Sequence, residues 1–173
     1  MQKYTYKHPN AIETTTRIHV YDDTGKITHS FERYYSNSLK KFFDKAMDYR
    51  YFLYYKVYDA NETLVFTCKK VSKKGRVYYE AIDHLQQKTY IVAYDKWKEL
   101  IPDLTITDGN IQIRIQKEME NWSLFTHNEK EIARWKAEIG DQFSIYLEIE
   151  DDSPIQNVAF FIAISQCALF VGG

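Results

Sequence analysis

The chain has little of what small stapled or hinged proteins depend on: two cysteines, three prolines and six glycines in 173 residues. Two cysteines exclude a disulfide-dense scaffold, and Cys68 and Cys167 have no partners at metal-ligand spacing. Each lies among apolar neighbours, so both read as free, buried thiols of a cytoplasmic protein. Sparse proline and glycine exclude a collagen-like repeat and a flexible linker. With no compositional break to mark a boundary, residues 1–173 read as one domain. An excess of charge is missing too. Lys and Arg number 23 against 24 Asp and Glu, a net charge of −1, which excludes a bulk nucleic-acid binder and a disordered acidic tail. The opening Met1-Gln-Lys-Tyr-Thr-Tyr-Lys-His8 has no apolar core, so no signal peptide is expected.

What the chain has in quantity is aromatic side chains, 15 Tyr and 10 Phe, which suit half-buried strands better than helices. The hydrophobic pattern up to residue 150 is alternation. Residues 16–22 put Ile18 and Val20 on one face, Asp22-Asp-Thr-Gly25 turns, and residues 26–32 return. The same unit recurs at 51–58 and 63–68 around Asp59-Ala-Asn-Glu62, and at 76–82 and 88–94 around 83–87. It recurs again at 104–107 and 111–117 around Asp108-Gly-Asn110, and at 122–126 and 131–137 around 127–130. Residues 143–149 place Phe143, Ile145, Leu147 and Ile149 on one face. With a weaker segment near 4–7, the alternation predicts about twelve strands. One helix interrupts them near 38–48, where Leu39, Phe42, Phe43, Ala46 and Met47 fall at helical spacing behind Ser38 as a cap. Its apolar face is expected to cover a sheet edge or a barrel end.

Long hydrophobic runs are absent except for one, residues 154–171, which carry no charge and are apolar on every side. Ser153 is the expected N-cap, Pro154 the first helical residue, and the acidic Glu150, Asp151 and Asp152 precede them, where a helix favours negative charge. A helix apolar all round is buried in protein or in lipid. Gln156, Asn157, Ser165 and Gln166 within the run favour protein, where they find partners. No basic cluster or aromatic belt flanks its far end. About twelve one-faced strands also need a filling, because side chains alone fill only a barrel of about eight strands. The expected fold is therefore all-β: a closed antiparallel barrel of about twelve strands around the C-terminal helix. A tail-anchored protein is the alternative.

Strands that end in aspartate before a turn, followed by one apolar C-terminal helix, resemble the tubby C-terminal-like superfamily. That superfamily takes in tubby domains, LURP-one-related proteins and phospholipid scramblases. The resemblance rests on Val20-Tyr-Asp22 with Gly25, Val57-Tyr-Asp59, Leu104-Thr-Ile-Thr-Asp-Gly-Asn110 and Ile149-Glu-Asp-Asp-Ser-Pro-Ile155. It spans essentially the whole chain, as pattern and not as a rare motif. It implies a twelve-stranded barrel around the helix, and, by analogy with tubby domains, phosphoinositide headgroups held by basic side chains on the barrel exterior.

No catalytic motif stands beside this pattern. His8, His19, His29, His84 and His127 are scattered without ligand spacing, and Asp83-His84 has no nucleophile to serve. No enzyme activity, metal or cofactor is therefore expected. The acidic set Glu148, Glu150, Asp151 and Asp152, with Asp22 and Asp23, lacks a calcium-loop pattern and is expected at a helix start. Tyr78, Tyr79, Tyr90 and Tyr94 are a possible stacking platform, but the near-zero charge speaks against nucleic acid. The basic set is the candidate site: Lys69, Lys70, Lys73, Lys74 and Arg76 around the turn Val71-Ser-Lys-Lys-Gly75, with Lys40 and Lys41 of the short helix in support. Such a cluster suits an anionic phospholipid headgroup at the cytoplasmic face of a membrane, with the protein cytoplasmic and peripheral. The alternative is a protein-interaction barrel without a small ligand, docking on aromatics such as Tyr54 and Tyr58.

Overall fold

The computed structural model describes residues 1–73, 76–94, 103–118 and 121–169. Among these, each of the twelve expected strands forms. In chain order they are β1 (Gln2–His8), β2 (Ile18–Asp22), β3 (Ile27–Arg33), β4 (Tyr54–Asp59), β5 (Leu64–Lys73) and β6 (Arg76–Asp83). The second half holds β7 (Lys88–Tyr94), β8 (Leu104–Thr107), β9 (Gln112–Gln116), β10 (Ser123–His127), β11 (Lys130–Ile139) and β12 (Phe143–Ile149). Two helices complete the described chain, α1 (Ser38–Lys45) between β3 and β4, and α2 (Val158–Ala168) after β12. Each strand pairs antiparallel with its neighbours in sequence, and β1 closes the barrel on β12 with Tyr6 opposite Ile145. A closed ring leaves no edge strand to recruit another chain.

Alternation decides which side chains enter. Ile18 and Val20 of β2, Ile113 and Ile115 of β9, and Ile145, Leu147 and Ile149 of β12 all lie in the core. Aspartates set the corners. The Oδ1 atoms of Asp22, Asp59, Asp83 and Asp108 each accept two backbone N–H groups of the turn that follows, at 2.9–3.0 Å. Each carboxylate thereby organises its hairpin by an Asx-type turn. Gly25 and Glu62 occupy the same place, three residues after their aspartates, with φ of +81° and +62°. Glycine takes that left-handed conformation without strain; glutamate does not.

Helix α2 fills the barrel. All its residues from Val158 to Ala168 are buried. Phe160 meets Phe66 and Tyr90 edge-on at 5.9 and 5.1 Å, and Phe161 meets Phe125 at 5.1 Å. Gln166 Nε2 donates to Tyr6 Oη at 2.6 Å, while among the described residues the buried Ser165 Oγ and Gln166 Oε1 have no hydrogen-bond partner. The helix starts later than the sequence implies. Asn157 is the N-cap, its Oδ1 accepting from Ala159 N at 3.0 Å while its Nδ2 donates to Asp83 Oδ2 at 2.8 Å. Ser153 instead closes a local turn with Ile155, and Gln156 Nε2 donates to the Glu150, Asp151 and Ser153 carbonyls. Those bonds hold residues 150–156 in a series of turns between β12 and α2. The run beyond residue 169 lies outside the described residues. Among the described residues no helix is long and apolar enough to cross a membrane.

Expectations for α1 and for the basic stretch are overturned. Asn37, not Ser38, caps α1, accepting from Lys40 N at 2.8 Å. The apolar face of α1 is uncovered among the described residues: Leu39, Phe42 and Phe43, with Met47 in the turn that follows, are exposed. The second correction concerns the basic stretch, which is not an open loop from residue 71. Strand β5 runs on to Lys73 and pairs with β6 as far as Lys73 opposite Arg76.

Candidate functional site

The barrel has two unlike ends. At one, α2 begins and the turns headed by Asp22, Asp59, Asp83 and Asp108 gather, together with Glu150, Asp151 and Asp152. At the other, α2 ends, α1 joins β3 to β4, and the β5–β6 hairpin projects. The register shows the projection: Lys69 lies opposite Tyr54, the first residue of β4, so residues 70–73 run past the end of that strand.

The hairpin carries the cations outward. On one face Lys69 is opposite Glu80, Val71 opposite Tyr78, and Lys73 opposite Arg76. Lys69, Lys73 and Arg76 are exposed. Lys69 Nζ stands 5.9 Å from the Tyr54 ring centre. Two cations directly opposite one another, as Lys73 and Arg76 are, destabilise a hairpin unless an anion lies between them. Lys74 lies outside the described residues.

The other face turns inward at its base, where Lys70 lies opposite the buried Tyr79; Ser72 and Val77, nearer the tip, are exposed. Lys70 is half-buried, its backbone N–H donates to Leu53 O at 2.7 Å, and its Nζ donates to Arg50 O at 2.8 Å. Burial lowers its pKa from the ordinary lysine value. Lys70 is thus a fastening between the hairpin and the 50–53 segment, less available to a ligand than its neighbours. Lys40 reaches the same segment, 5.8 Å from the Phe52 ring centre. Lys41 is exposed and lines a shallow hollow of about 410 Å³ with Glu32, Tyr34, Tyr35 and Asn37. Where α2 ends, Lys117 Nζ donates to Leu169 O at 3.3 Å. Burial, and then the Arg50 charge, bring its pKa down to about 8. Sequence reasoning missed Arg50 and Lys117 because neither belongs to a cluster in the chain; the barrel closes them onto one end.

One buried acid holds α1 in place. Asp44 Oδ2 accepts from Arg33 Nη2 and from Tyr35 Oη, both at 2.6 Å. Its Oδ1 accepts from Tyr51 N and Phe52 N at 3.0 and 2.9 Å. Asp48 and Tyr49, with φ of +50° and +57°, turn the chain back so that those two amides face the carboxylate. The helix is therefore docked by its polar side.

The remaining candidates are dispersed or satisfied within the fold. Glu148 pairs with Arg134 at 2.6 Å and Lys3 at 3.5 Å, Asp152 with Lys130, and Asp151 with the amino group of Met1. His84 Nε2 faces Thr67 Oγ1 at 3.1 Å while Asp83 binds its own turn and Asn157, so the two neighbours point to different partners. No group of three or more potential metal ligands exists among the described residues. Tyr54 and Tyr58 are half-buried; Arg17 stacks over Tyr58 at 4.0 Å, and Tyr58 Oη donates to Glu32 at 2.8 Å.

Residues 4–171 match the family described as the Tubby C-terminal like domain. No curated protein and no solved structure matches the chain.

Proposed function

Because the chain belongs to the Tubby C-terminal like domain family, we propose that it is a non-enzymatic binding module whose basic barrel end takes an anionic ligand, the phospholipid headgroups of the cytoplasmic membrane surface. The family supports a binding role in general. The narrower reading is carried by one observation: Lys73 and Arg76 stand opposite each other at the tip of a projecting hairpin, an arrangement that an anion relieves. Lys69, and Lys74 on sequence grounds, extend the cluster. Lys40 and Lys41 of α1 add positive charge at the same end, while Lys70 positions the hairpin. Acidic turns crowd the opposite end, so a negative surface would attract one end and repel the other. The protein would then work in the cytoplasm, peripheral to the membrane.

The test compares wild type with Lys69→Glu/Lys73→Glu/Arg76→Glu on vesicles containing phosphatidylglycerol. At about 1 kcal/mol per cation near such a surface, reversal of three charges should weaken binding by about a hundredfold or more. The melting temperature should fall only slightly, since all three side chains are exposed and the one new like-charge pair is Lys69→Glu opposite Glu80. Equal binding by the two proteins would overturn the assignment of the site.

A further inference from the structure

The uncovered face of α1 has a shape and a setting that call for an occupant. Leu39 is 61 %, Phe42 70 %, Phe43 53 % and Met47 52 % exposed. Their spacing puts Leu39, Phe42 and Phe43 on one side of the helix, and Met47 lies in the turn just after it. Isolated apolar residues on a surface are ordinary, but three large ones on one helix face, continued by Met47 in the next turn, form a patch. The patch is not the result of a loosely attached helix. On the opposite side Asp44 receives four hydrogen bonds, from Arg33, Tyr35 and the amides of Tyr51 and Phe52. The fold holds the apolar side outward.

We propose that α1 is a membrane-insertion element: its apolar face enters the interfacial layer of an anionic bilayer, while the lysines beside it stay among the headgroups. This rests on the membrane reading of the basic barrel end and adds the depth and the residues of contact. Lys40 and Lys45 flank the face, Lys41 lies behind it, and Asp44, the acid within the helix, is neutralised by Arg33. A helix with Phe and Leu on one side and Lys on the other is the composition of elements that lie in the plane of a membrane interface. Charge also decides between occupants. A second copy packed on this face would bring two pairs of flanking lysines together, whereas an anionic bilayer neutralises them. The hairpin supports the same orientation. Lys70 Nζ is bonded to Arg50 O, and Lys40 lies over the Phe52 ring, so hairpin and helix flank one short segment at one barrel end. Val77, opposite Ser72 near the hairpin tip, is a further exposed apolar residue there. With eight residues, α1 is about 12 Å long. Lying flat, it would sink only about 5–10 Å into the bilayer. Its conformation is set before contact, so binding need not order it.

The experiment places a nitrobenzoxadiazole label on Phe42→Cys, and separately on Leu85→Cys at the opposite barrel end. Native Cys68 and Cys167 are buried and stay unlabelled. Vesicles of phosphatidylcholine and phosphatidylglycerol are added, and bound protein is counted by sedimentation. The expected result is a blue-shifted, brighter label at 42 with no change at 85. In addition, Phe42→Ser/Phe43→Ser should lose about tenfold in affinity while still binding through its cations. Binding without a change at 42 would overturn insertion and leave the headgroup reading standing. No sedimentation at all would overturn both. A dimer in solution that the Phe42→Ser/Phe43→Ser variant converts to monomer would assign the face to a second copy and overturn insertion.

Discussion

Arg33 Nη2 and Asp44 Oδ2 lie 2.6 Å apart, and neither side chain has any exposed surface. An arginine at the end of β3 and an aspartate inside α1 are thus in the core, while the phenylalanines next to that aspartate are in solvent. Removing one partner of such a pair leaves the other charge buried alone. Asp44→Ala should therefore cost about 3–5 kcal/mol. Phe42→Ser should change stability by less than about 0.5 kcal/mol. Chemical denaturation of both variants checks the contrast. The reverse order would mean that α1 packs by its apolar face.

The central helix makes the complementary prediction. Phe160 is wedged between Phe66, Tyr90 and Phe161 with no exposed surface to speak of. Phe160→Ala should cost about 3–5 kcal/mol in the same assay, because both the transfer of the ring and the cavity left behind count against the fold. A loss under about 1 kcal/mol would contradict a helix packed inside the barrel.

Alkaline stability follows from two kinds of group with opposite signs. Burial pushes the Tyr6, Tyr55 and Tyr79 phenols far above the usual value of 10.0, and burial with the Asp44 hydrogen bond does the same to Tyr35. Below that value folded and unfolded chains both keep these protons. Above it the unfolded chain releases them and the folded one does not, so stability is lost as pH climbs past about 10. Lys117 acts earlier and the other way. With a pKa of about 8 against the ordinary 10.5, it is deprotonated in the fold while still charged in the unfolded chain. It therefore adds stability as pH rises through that window. Thermal melts of wild type and Lys117→Met against pH should diverge upward for wild type between the two values. Both proteins should fall above about pH 10.

Cys68 and Cys167 adjoin each other inside the barrel, with Cys167 Sγ donating to Cys68 O at 3.8 Å. Burial, and then the neighbouring thiol, raise the pKa of Cys68. Neither sulfur should react with an aromatic disulfide reagent in the native protein, and both should react in denaturant. Fast native labelling would mean that the helix and the wall separate readily.

Most of the fold is written in alternation, because each strand buries one face and exposes the other. The β5–β6 hairpin departs from the expected boundary where it leaves the barrel. Beyond Tyr54 opposite Lys69 only Tyr79 of the hairpin is buried, Lys70 and Val71 are half-buried and Ser72 and Lys73 exposed, so residues 70–73 carry no alternation to read. The start of α2 was obscured for a related reason. Ser153 and Pro154 fit a helix start locally, but the Asn157–Asp83 bond, 74 residues apart, fixes the cap. The spacing of Leu39, Phe42, Phe43 and Met47 identifies a helix and misleads about its orientation, since that depends on one buried charge pair with β3. At the candidate site the cluster of cations was legible. The inward turn of Lys70 and the arrival of Arg50 and Lys117 were not, because barrel closure brings them there.

The most direct measurement is flotation of the wild-type protein, without detergent, on neutral and on anionic vesicles at low and high salt. The expected result is flotation with anionic vesicles alone, diminished at high salt as the surface charges are screened and only the apolar contact of α1 remains. Protein that stays at the bottom of every gradient while remaining folded, or that floats equally with neutral vesicles, would contradict an end of the barrel built to meet an anionic membrane.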